Sequence, residues 1–251
     1  MVFEPAPRPE FVAKMKKRQR EKTVRVRDFE KYRSFYKKLG CAVRDLRYLL
    51  DQGYPRDSAV NFVSNHYRFP LDQRHLLVRC VFSKREVAEH RRRTVRASAV
   101  RGKRLGVDGY NVLITLETIL TGKQIIRCDD GYIRDLRAIF GKYRATPATA
   151  HAISALVQTV AKAKPKFVVV YFDKQVSRSG ELAAEVRHRL KRAKLEGDSS
   201  AVGGVDMKLR AFDVVASSDR AVIGRAKAVW DLPVELLKRK KTNLMDLKKL
   251  K

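Results

Sequence analysis

The chain has 251 residues, of which 44% are hydrophobic, and its formal net charge is +29 at pH 7. The hydrophobic content is sufficient for a buried core, which excludes a disordered tail protein, and the length suits one large domain or two small ones. The positive charge is distributed over both halves of the chain. Because a polyanion relieves repulsion on this scale, the composition favours nucleic acid as a partner.

The cysteines and the apolar segments bear on the compartment. Cys41, Cys80 and Cys128 are odd in number and too far apart for a local zinc knuckle. This usage favours buried thiols in a reducing environment. The N-terminal MVFEPAPRPE lacks the apolar centre of a signal peptide, and no apolar run approaches the length of a membrane span. We therefore predict a cytoplasmic protein without membrane association.

In chain order, the first elements are a basic arm and a group of helices. Residues 1–27 are rich in proline and then strongly basic, and they predict a flexible arm that nucleic acid orders. From Asp28 to Leu50, apolar residues recur every three or four positions, which indicates a helix in which Gly40 is a weak point. Further helical segments follow, so residues 28–96 predict a small all-α domain that binds RNA.

A change of pattern marks a second domain. The stretch RRRTVRASAVRGKR at 91–104 is basic with little apolar content, and it is the predicted domain boundary. Over residues 104–236, β-type runs alternate with helical ones, which predicts an α/β domain with a parallel sheet flanked by helices. KFVVVYF is the most strand-like run, and the helix in SGELAAEVRHRLKRAKLEG is predicted to end at Gly197. Residues 237–251 are predicted to be a basic C-terminal tail.

Several apolar runs of the second domain end in an aspartate: LGVD at Asp108, VVVYFD at Asp173 and VVASSD at Asp219. The carboxyl ends of parallel strands open onto one crevice, so these carboxylates are expected to converge and to favour Mg²⁺ or Mn²⁺. Asp206 in GGVDMKL completes the set. The alternative is that each aspartate only caps a helix, which explains Asp173 least well because its helix begins several residues later.

Motifs of other enzyme classes are missing from the sequence. GVDGYN lacks the G-x-G-x-x-G pattern of dinucleotide-binding folds, and no phosphate-binding G-x-x-x-x-G-K-[ST] loop occurs. No G-x-S-x-G marks a serine hydrolase, and the histidines are scattered without metal-ligand spacing. The strand-end aspartates are therefore the main candidate site.

The segments VDGYNVLI, VVYFDKQVSRSGE, GGVDMKL and VVASSDRAVI resemble, in this order, the successive motifs of NYN/PIN-like ribonuclease domains over residues 104–235. The N-terminal segments RDLRYLLDQGYPRDSAVNFVSNHYRF and HLLVRCVFS resemble a helical domain of unknown function that stands beside such a domain in archaeal proteins. The resemblance implies a PIN-like α/β fold and an enzyme in which a metal ion activates water for attack on a phosphodiester.

The resemblance also implies roles for single residues. Asp108, Asp173 and Asp219 correspond to metal ligands, bound directly or through water. Asp206 corresponds to a ligand or to an acid behind the ligands. Asn111 would fix the first carboxylate or bind a phosphate oxygen, and Ser218 lies in the signature turn before the last aspartate.

This chain departs from the family pattern at one position. Many members carry a further acid soon after the last aspartate, where this sequence has Arg220. Glu117 and Glu181 match the mid-sequence acid of ordinary PIN domains, although charge on a helix surface also explains both. The second-rank substitutes for the missing acid are Asp129, Asp130 and Asp213.

Basic clusters are expected to hold the substrate, since each neutralised phosphate releases counterions. On one helix, Arg187, Lys191 and Lys194 share a face. Tyr110 lies inside the turn after the first aspartate and is the aromatic residue best placed to stack on a base. For any one cluster, the alternative is a solvated helix face. The predicted RNA-binding residues are Lys16, Lys17, Arg18, Arg91, Arg92, Arg93, Arg187, Lys191, Lys194 and Tyr110.

The leading hypothesis is a Mg²⁺- or Mn²⁺-dependent endoribonuclease that acts on structured RNA such as tRNA or rRNA, including RNA in the ribosome. The first rival is a non-catalytic RNA- or ribosome-binding protein with a degenerate PIN-like domain, which the missing acid favours. A DNA-acting nuclease or DNA-binding protein is the third reading. The sequence leaves open the identity of the RNA, the number of metal ions and the oligomeric state.

Overall fold

The structure, a computed structural model, describes residues 34–137, 143–238 and 242–250. The predicted basic arm at residues 1–27, with Lys16, Lys17 and Arg18, lies outside these ranges. The helix predicted from Asp28 to Leu50 is observed over residues 34–51 and continues through Gly40. The helices are α1 (34–51), α2 (Arg56–His66), α3 (Leu71–Cys80), α4 (Lys84–Arg93), α5 (Gly109–Leu120), α6 (Pro147–Ala163), α7 (Ser179–Arg192), α8 (Val205–Leu209), α9 (Arg220–Arg225) and α10 (Pro233–Leu237), with 3₁₀ turns at Ala97–Val100 and Leu247–Lys249.

Two sheets are formed by the described residues. A six-stranded sheet has the order β1-β8-β7-β2-β5-β6 with every pair parallel. A three-stranded sheet has the order β4-β3-β9, in which β3 pairs antiparallel with β4 and parallel with β9. The strands are β1 (Thr94–Val95), β2 (Arg104–Asp108), β3 (Ile125–Arg127), β4 (Ile133–Arg134), β5 (Phe167–Asp173), β6 (Gly197–Val202), β7 (Val214–Ala216), β8 (Val229–Trp230) and β9 (Leu244–Asp246).

Helices cover both faces of the large sheet. In β5, Val168 and Val170 belong to one buried cluster with α5, α6 and α7. Val169, which points the opposite way because strand side chains alternate, belongs to another cluster with α8 and α9. Burial on both faces explains why FVVVYF is a continuous apolar run. The predicted α/β domain with a helix-flanked parallel sheet, preceded by an all-helical region, is confirmed.

Strand β6 was not predicted, and the helix before it ends earlier than expected. α7 ends at Arg192, and Gly197 is the first residue of the strand rather than the end of the helix. The sequence GDSSAV has no apolar run because β6 is an edge strand of the sheet. Its buried Ser199 donates a hydrogen bond from Oγ to the Val170 carbonyl at 3.0 Å, which satisfies the hydroxyl inside the fold.

The segments predicted as a tail and a domain boundary are integrated into the fold. Within residues 242–250, β9 pairs with β3, and Met245 and Leu247 pack in the buried cluster of the helical region. The predicted C-terminal tail is therefore wrong for these residues. In the predicted boundary, Thr94 and Val95 form β1 and pair with β8 of the large sheet. Each region thus receives a segment from outside its own part of the sequence: β1 joins the large sheet, and the C-terminal segment packs against the helices.

The remaining expectations concern thiols and membranes. All three cysteines are free, and Cys80 and Cys128 are buried as expected, whereas Cys41 is partly exposed. None of the helices that the structure describes has both the length and the apolar content needed to cross a membrane.

Candidate functional site

A cleft of about 1030 Å³ opens at the carboxyl ends of β2 and β5. Strand order reverses here, because β5 and β6 extend the sheet on one side of β2 while β7 and β8 extend it on the other. In open α/β sheets, ligands bind in the crevice at such a reversal. The cleft is lined by all four aspartates singled out from the sequence, Asp108, Asp173, Asp206 and Asp219.

Asp108 is the last residue of β2 and precedes α5, and its side chain makes no capping hydrogen bond of ordinary geometry. The Asn111 backbone N–H still favours the ionised carboxylate and lowers the Asp108 pKa, so a weak capping interaction accompanies any other role. Burial raises the pKa of Asp108 from its usual 3.8 to about 6, and the negative charge of Asp219 acts in the same direction. A hydrogen bond from Ser217 Oγ to Asp108 Oδ2 at 2.9 Å opposes this rise only in part.

Asp219 does cap a helix. Its Oδ1 accepts hydrogen bonds from the backbone N–H groups of Ala221 at 2.8 Å and Val222 at 3.1 Å. Both bonds are to the same oxygen, so capping engages one of the two carboxylate oxygens. The Ser217 hydroxyl accepts from the Asp219 N–H at 3.1 Å while donating to Asp108, and it thereby joins the two acidic positions.

Asn111 holds the turn between these acids. Its Oδ1 accepts from the Ser218 backbone N–H at 2.8 Å and from Ser218 Oγ at 2.9 Å. The Asn111 side chain, which also lines the cleft, therefore positions the turn that carries Asp219 rather than the carboxylate of Asp108. The Ser218 carbonyl accepts a further bond from buried Arg134 at 2.7 Å, so the turn is fixed from two sides.

The other two aspartates each make one polar contact within the protein, and only that of Asp206 is with a cation. Asp173 Oδ1 accepts from the Gln175 N–H at 2.9 Å in the turn after β5. Asp206 Oδ2 lies 2.8 Å from a guanidinium nitrogen of Arg225, in a partly exposed ion pair. The positive charge of Arg225 thus offsets the carboxylate that the sequence analysis expected to complete the metal site.

The cleft can be tested against the needs of a divalent cation. Within residues 34–137, 143–238 and 242–250, no three His, Cys, Asp or Glu side chains are grouped as ligands of one ion. Mg²⁺, however, commonly keeps several waters and binds one or two carboxylates together with substrate phosphates. Asp108 and Asp219, joined by the Ser217 hydroxyl, fit that open arrangement and do not form a closed cage.

Cationic side chains that the sequence analysis missed face the same aspartates. Arg79, Arg137 and Arg144 line the cleft. Arg79 belongs to α3 of the helical region and donates to the Asp135 carbonyl at 3.0 Å. Its charge favours the ionised form of Asp108 and so opposes the rise in the Asp108 pKa. These arginines do not belong to a basic cluster in the sequence, so the charge pattern did not indicate them. Arg79 reaches the site only because α3 packs against the α/β region.

An aromatic side chain of the cleft was expected from the sequence. Tyr110 lines the cleft, and its ring centroid lies 5.2 Å from that of Tyr143 and 5.0 Å from that of Phe172. Burial raises the Tyr110 pKa to about 12, with the Asp173 charge as a second cause. The hydroxyl is therefore protonated at neutral pH and is available as a hydrogen-bond donor.

The basic clusters chosen from the sequence that fall within the described residues do not line this cleft. Arg91, Arg92 and Arg93 form the last turn of α4. Arg187 pairs with Asp198 at 2.6 Å and also donates to a backbone carbonyl of β6, which ties α7 to the sheet edge. The other two members of its predicted face, Lys191 and Lys194, are exposed elsewhere on the surface.

The second-rank acids also lie away from the cleft. Asp129 is buried in an ion pair with Arg47, at 2.5 Å between Oδ1 and a guanidinium nitrogen. Asp213 accepts from the backbone of Arg104 at 2.9 Å, at the opposite end of β2. Neither side chain replaces the acid that the family pattern expects after Asp219.

Asp130 is excluded for a related reason. It is buried, and both carboxylate oxygens accept from Arg134, at 2.8 and 2.7 Å. Burial alone raises the Asp130 pKa, but the Arg134 charge and a hydrogen bond from His90 outweigh it and hold the pKa at about 2. Asp130 is a structural anion that links α4, through His90, to the turn after β7, through Arg134 and the Ser218 carbonyl.

The two mid-sequence glutamates differ from each other. Glu117 is fully buried in α5 and accepts from Tyr143, Thr149 and Arg137, so the helix-surface interpretation is wrong for it. Because Tyr143 and Arg137 line the cleft, Glu117 supports the cleft wall from behind. Glu181 is exposed and paired with Arg178, as the helix-surface interpretation expects.

The comparisons divide the chain as the fold does. The family model described as "Domain of unknown function (DUF5616)" matches residues 97–235, which include the six-stranded sheet except β1 and all four cleft aspartates. The chain belongs to the DUF5616 family. The model described as "Protein of unknown function (DUF434)" matches residues 38–93, the helical region from α1 to α4. The division into a helical and an α/β region agrees with both matches, which meet inside the predicted boundary at 91–104.

A relative of the DUF5616 chain spans both regions. The "Uncharacterized protein MJ0935" of Methanocaldococcus jannaschii is 37% identical over 204 residues, which cover 79% of this chain and 98% of that protein. The predicted helical domain of unknown function with archaeal relatives agrees with these matches. No solved structure matches the chain.

Proposed function

We propose that this protein is a divalent-metal-dependent endoribonuclease that acts in the cytoplasm on structured RNA such as tRNA or rRNA. The observation that carries the proposal is that Asp108 and Asp219 line one cleft at the strand-order reversal of the sheet, where the Ser217 hydroxyl links the Asp108 carboxylate to the backbone N–H of Asp219. The order of the motifs around these residues, which resembles that of NYN/PIN-like ribonuclease domains, supports the same proposal.

The acidic residues of the cleft would bind the ion, whereas other cleft residues would bind the RNA. Asp108 and Asp219 would hold Mg²⁺ or Mn²⁺ together with waters and a phosphate oxygen. A bound ion supplies an activated water and stabilises charge on the leaving oxygen. Because the ligand must be deprotonated, the raised pKa of Asp108 predicts weaker metal binding below about pH 6.

The remaining side chains would position the substrate. Arg79, Arg137 and Arg144 lie on the cleft wall and would bind phosphate oxygens. The exposed edge of Tyr110 would contact a base, and the hydrogen bonds of Asn111 keep Asp219 oriented. The cleft thus combines a carboxylate pair for a cation with separate cations for the RNA backbone.

A second function, a non-catalytic RNA-binding protein, is favoured by two features of the charge near the cleft. Asp206 is paired with Arg225, and the position where the family carries a further acid holds Arg220, whose guanidinium approaches Glu86 at 3.4 Å. Both features reduce the negative charge available for a second metal ion. The cationic side chains of the cleft serve binding equally well without hydrolysis.

One assay separates the two functions. The full-length protein would be incubated with end-labelled total tRNA and rRNA in Mn²⁺ or in chelator, beside an Asp108→Asn, Asp219→Asn double variant. The matched control is Asp213→Asn, because Asp213 lies at the other end of β2 and an asparagine can still accept from Arg104. We expect Mn²⁺-dependent cleavage by the wild type and the control only.

The other outcomes have definite meanings. Cleavage that persists in the double variant would place the site elsewhere. Metal-independent binding with no cleavage by the wild type would favour the non-catalytic function. Equal cleavage of single-stranded DNA would point to a general nuclease rather than a ribonuclease.

A further inference from the structure

A second groove, of about 610 Å³, lies between α1, α4 and the C-terminal 3₁₀ turn. It shares no lining residue with the aspartate cleft. We call it the α1–α4 groove and define it by Arg44 and Tyr48 of α1, Lys84 and Arg91 of α4, and Lys248. The groove is separate from the site described above and has no role in the chemistry proposed there.

Cations outnumber carboxylates in the α1–α4 groove. Of its two carboxylates, Asp129 pairs with Arg47, and Asp51 lies 3.6 Å from the ammonium of Lys84. The charges of Arg44, Arg91 and Lys248 are therefore in excess, and all three side chains are exposed.

One nearby ion pair does not change this balance. Arg44 lies 3.7 Å from Asp45, but its side chain is 71% exposed, so water screens the contact. Asp45 itself accepts a hydrogen bond from the Tyr67 hydroxyl. The groove therefore complements a polyanion.

An aromatic ring stands among these cations. Tyr48 is 64% exposed, although a tyrosine ring is costly to leave in water. Arg44 and Tyr48 are four residues apart on α1 and so lie on one face, one turn from each other. Lys84 and Arg91 are seven residues apart on α4, about 10 Å along the helix axis. A stacking ring flanked by spaced cations is the pattern with which proteins hold single strands.

We propose that the α1–α4 groove binds a single-stranded segment of RNA, with a base stacked on Tyr48 and phosphates bound by Arg44, Arg91 and Lys248. Single-stranded RNA fits better than a duplex because bases within a duplex are already stacked on one another. The choice of RNA as the polyanion rests on the proposed function, whereas the stacking and charge pattern belong to the groove itself.

One side of α4 lines the groove, and another side contacts the helix that follows the cleft residue Asp219. Lys84 and Arg91 of α4 face the groove, whereas Glu86 contacts Arg220 and His90 contacts Asp130 at 2.8 Å. Arg220 follows the cleft residue Asp219 directly.

Binding can be measured without cleavage. The full chain would be titrated in chelator into a fluorescent single-stranded RNA of about 12 nucleotides, at several KCl concentrations, with fluorescence anisotropy as the readout. Tyr48→Ala is expected to weaken binding about 10-fold, and Tyr48→Trp is expected to restore it, because stacking needs only an aromatic face. Arg44→Gln combined with Arg91→Gln is expected to reduce the slope of log K against log salt by about 0.7 for each lost contact.

The control is Tyr54→Ala, which removes an exposed tyrosine that does not line the groove and should leave binding unchanged. Thermal melting of each variant checks its folding. The proposal is overturned if Tyr48→Ala binds like the wild type, if Tyr54→Ala loses as much affinity, or if Tyr48→Trp fails to restore binding. Equal affinity for a blunt RNA duplex or for single-stranded DNA overturns the choice of single-stranded RNA.

The two proposals fail in distinguishable ways. If Mn²⁺-dependent cleavage requires Asp108 but the Tyr48 variants bind normally, the groove proposal fails and the proposed function stands. If the Tyr48 and arginine variants lose RNA binding while the wild type never cleaves, the groove proposal stands and the nuclease proposal fails.

Discussion

Replacing Asp108 by asparagine should stabilise the fold at neutral pH while removing the proposed activity. Burial raises the Asp108 pKa from 3.8 to about 6, so between these pH values the folded protein binds a proton that the unfolded chain releases. The free energy of unfolding of the wild type therefore falls as the pH rises from about 4 to about 6, and the loss persists above that range. Asparagine is neutral, has nearly the same shape, and can still accept from Ser217.

The size of this effect follows from the shift. A difference of about two pH units corresponds to about 3 kcal/mol at about 1.36 kcal/mol for each unit. Because Asp108 lies on the cleft wall and is partly exposed, water screening reduces the gain to roughly 1–2 kcal/mol. For a chain of this length, that gain raises the melting temperature by roughly 2–8 °C at pH 8 and leaves it unchanged near pH 3.5.

The assay is thermal unfolding in chelator from pH 3.5 to pH 8, for the wild type and Asp108→Asn. Asp130→Asn is a control of opposite sign. The Asp130 pKa is held at about 2, so its ion pair stabilises the fold above about pH 4 and this contribution is lost as the pH falls towards 2. Asp130→Asn should therefore melt below the wild type at pH 8.

A melting temperature of Asp108→Asn at or below the wild-type value at pH 8 would refute the reasoning. Addition of Mn²⁺ provides a second readout. An ion that binds only the folded protein raises the melting temperature. We expect that increase for the wild type and not for Asp108→Asn.

Three further changes test the supports of the cleft. Arg134→Met should lower the free energy of unfolding in urea by about 3–5 kcal/mol, because it leaves the Asp130 carboxylate buried without its cation. Arg85→Ala, in an exposed pair, should lower it by about 0.5 kcal/mol or less. Similar losses in the two variants would contradict this reasoning. Gly109→Ala places a methyl group 2.6 Å from a Phe172 ring carbon and 2.7 Å from the Tyr171 carbonyl oxygen, so unfolding should become easier by about 1–3 kcal/mol. An unchanged melting temperature would show that both neighbours can shift. Asn111→Ala removes the acceptor of the turn before the last cleft aspartate, and we expect tRNA cleavage to fall more than tRNA binding; equal losses would assign it a binding role.

Local patterns allowed much of the fold to be predicted from the sequence. The run FVVVYFD is β5, and PATAHAISALVQTVAKA corresponds residue for residue to α6. The shared cleft of Asp108, Asp173 and Asp219 was also predictable, because the carboxyl ends of parallel strands meet at one edge of the sheet. Each of these inferences needs only neighbours in the sequence and a general rule of sheet geometry.

Long-range packing set the limit of prediction. Strand β6 carries polar residues because it lies at the sheet edge, a position that no local pattern reveals. Arg79 reaches the cleft only because α3 docks against the α/β region. The clusters of adjacent arginines were more conspicuous in the sequence, but charge density along the chain does not determine which cations face the aspartates. Arg187, for example, is occupied by Asp198.

Because each region is completed by a segment from outside its own part of the sequence, the two regions can be transferred to another protein only together. Leu247 and Met245, from beyond the DUF5616 match, complete the core of the helical region, and Thr94 and Val95 from the end of the helical region add a strand to the sheet. A gene rearrangement that joined either region alone to another protein would leave one hydrophobic core open and one sheet short of a strand. Recombination can therefore move the fold intact only as a segment that includes α1 through β9. The cleft would be inherited with that whole segment, because Arg79 comes from one region and Asp108 from the other.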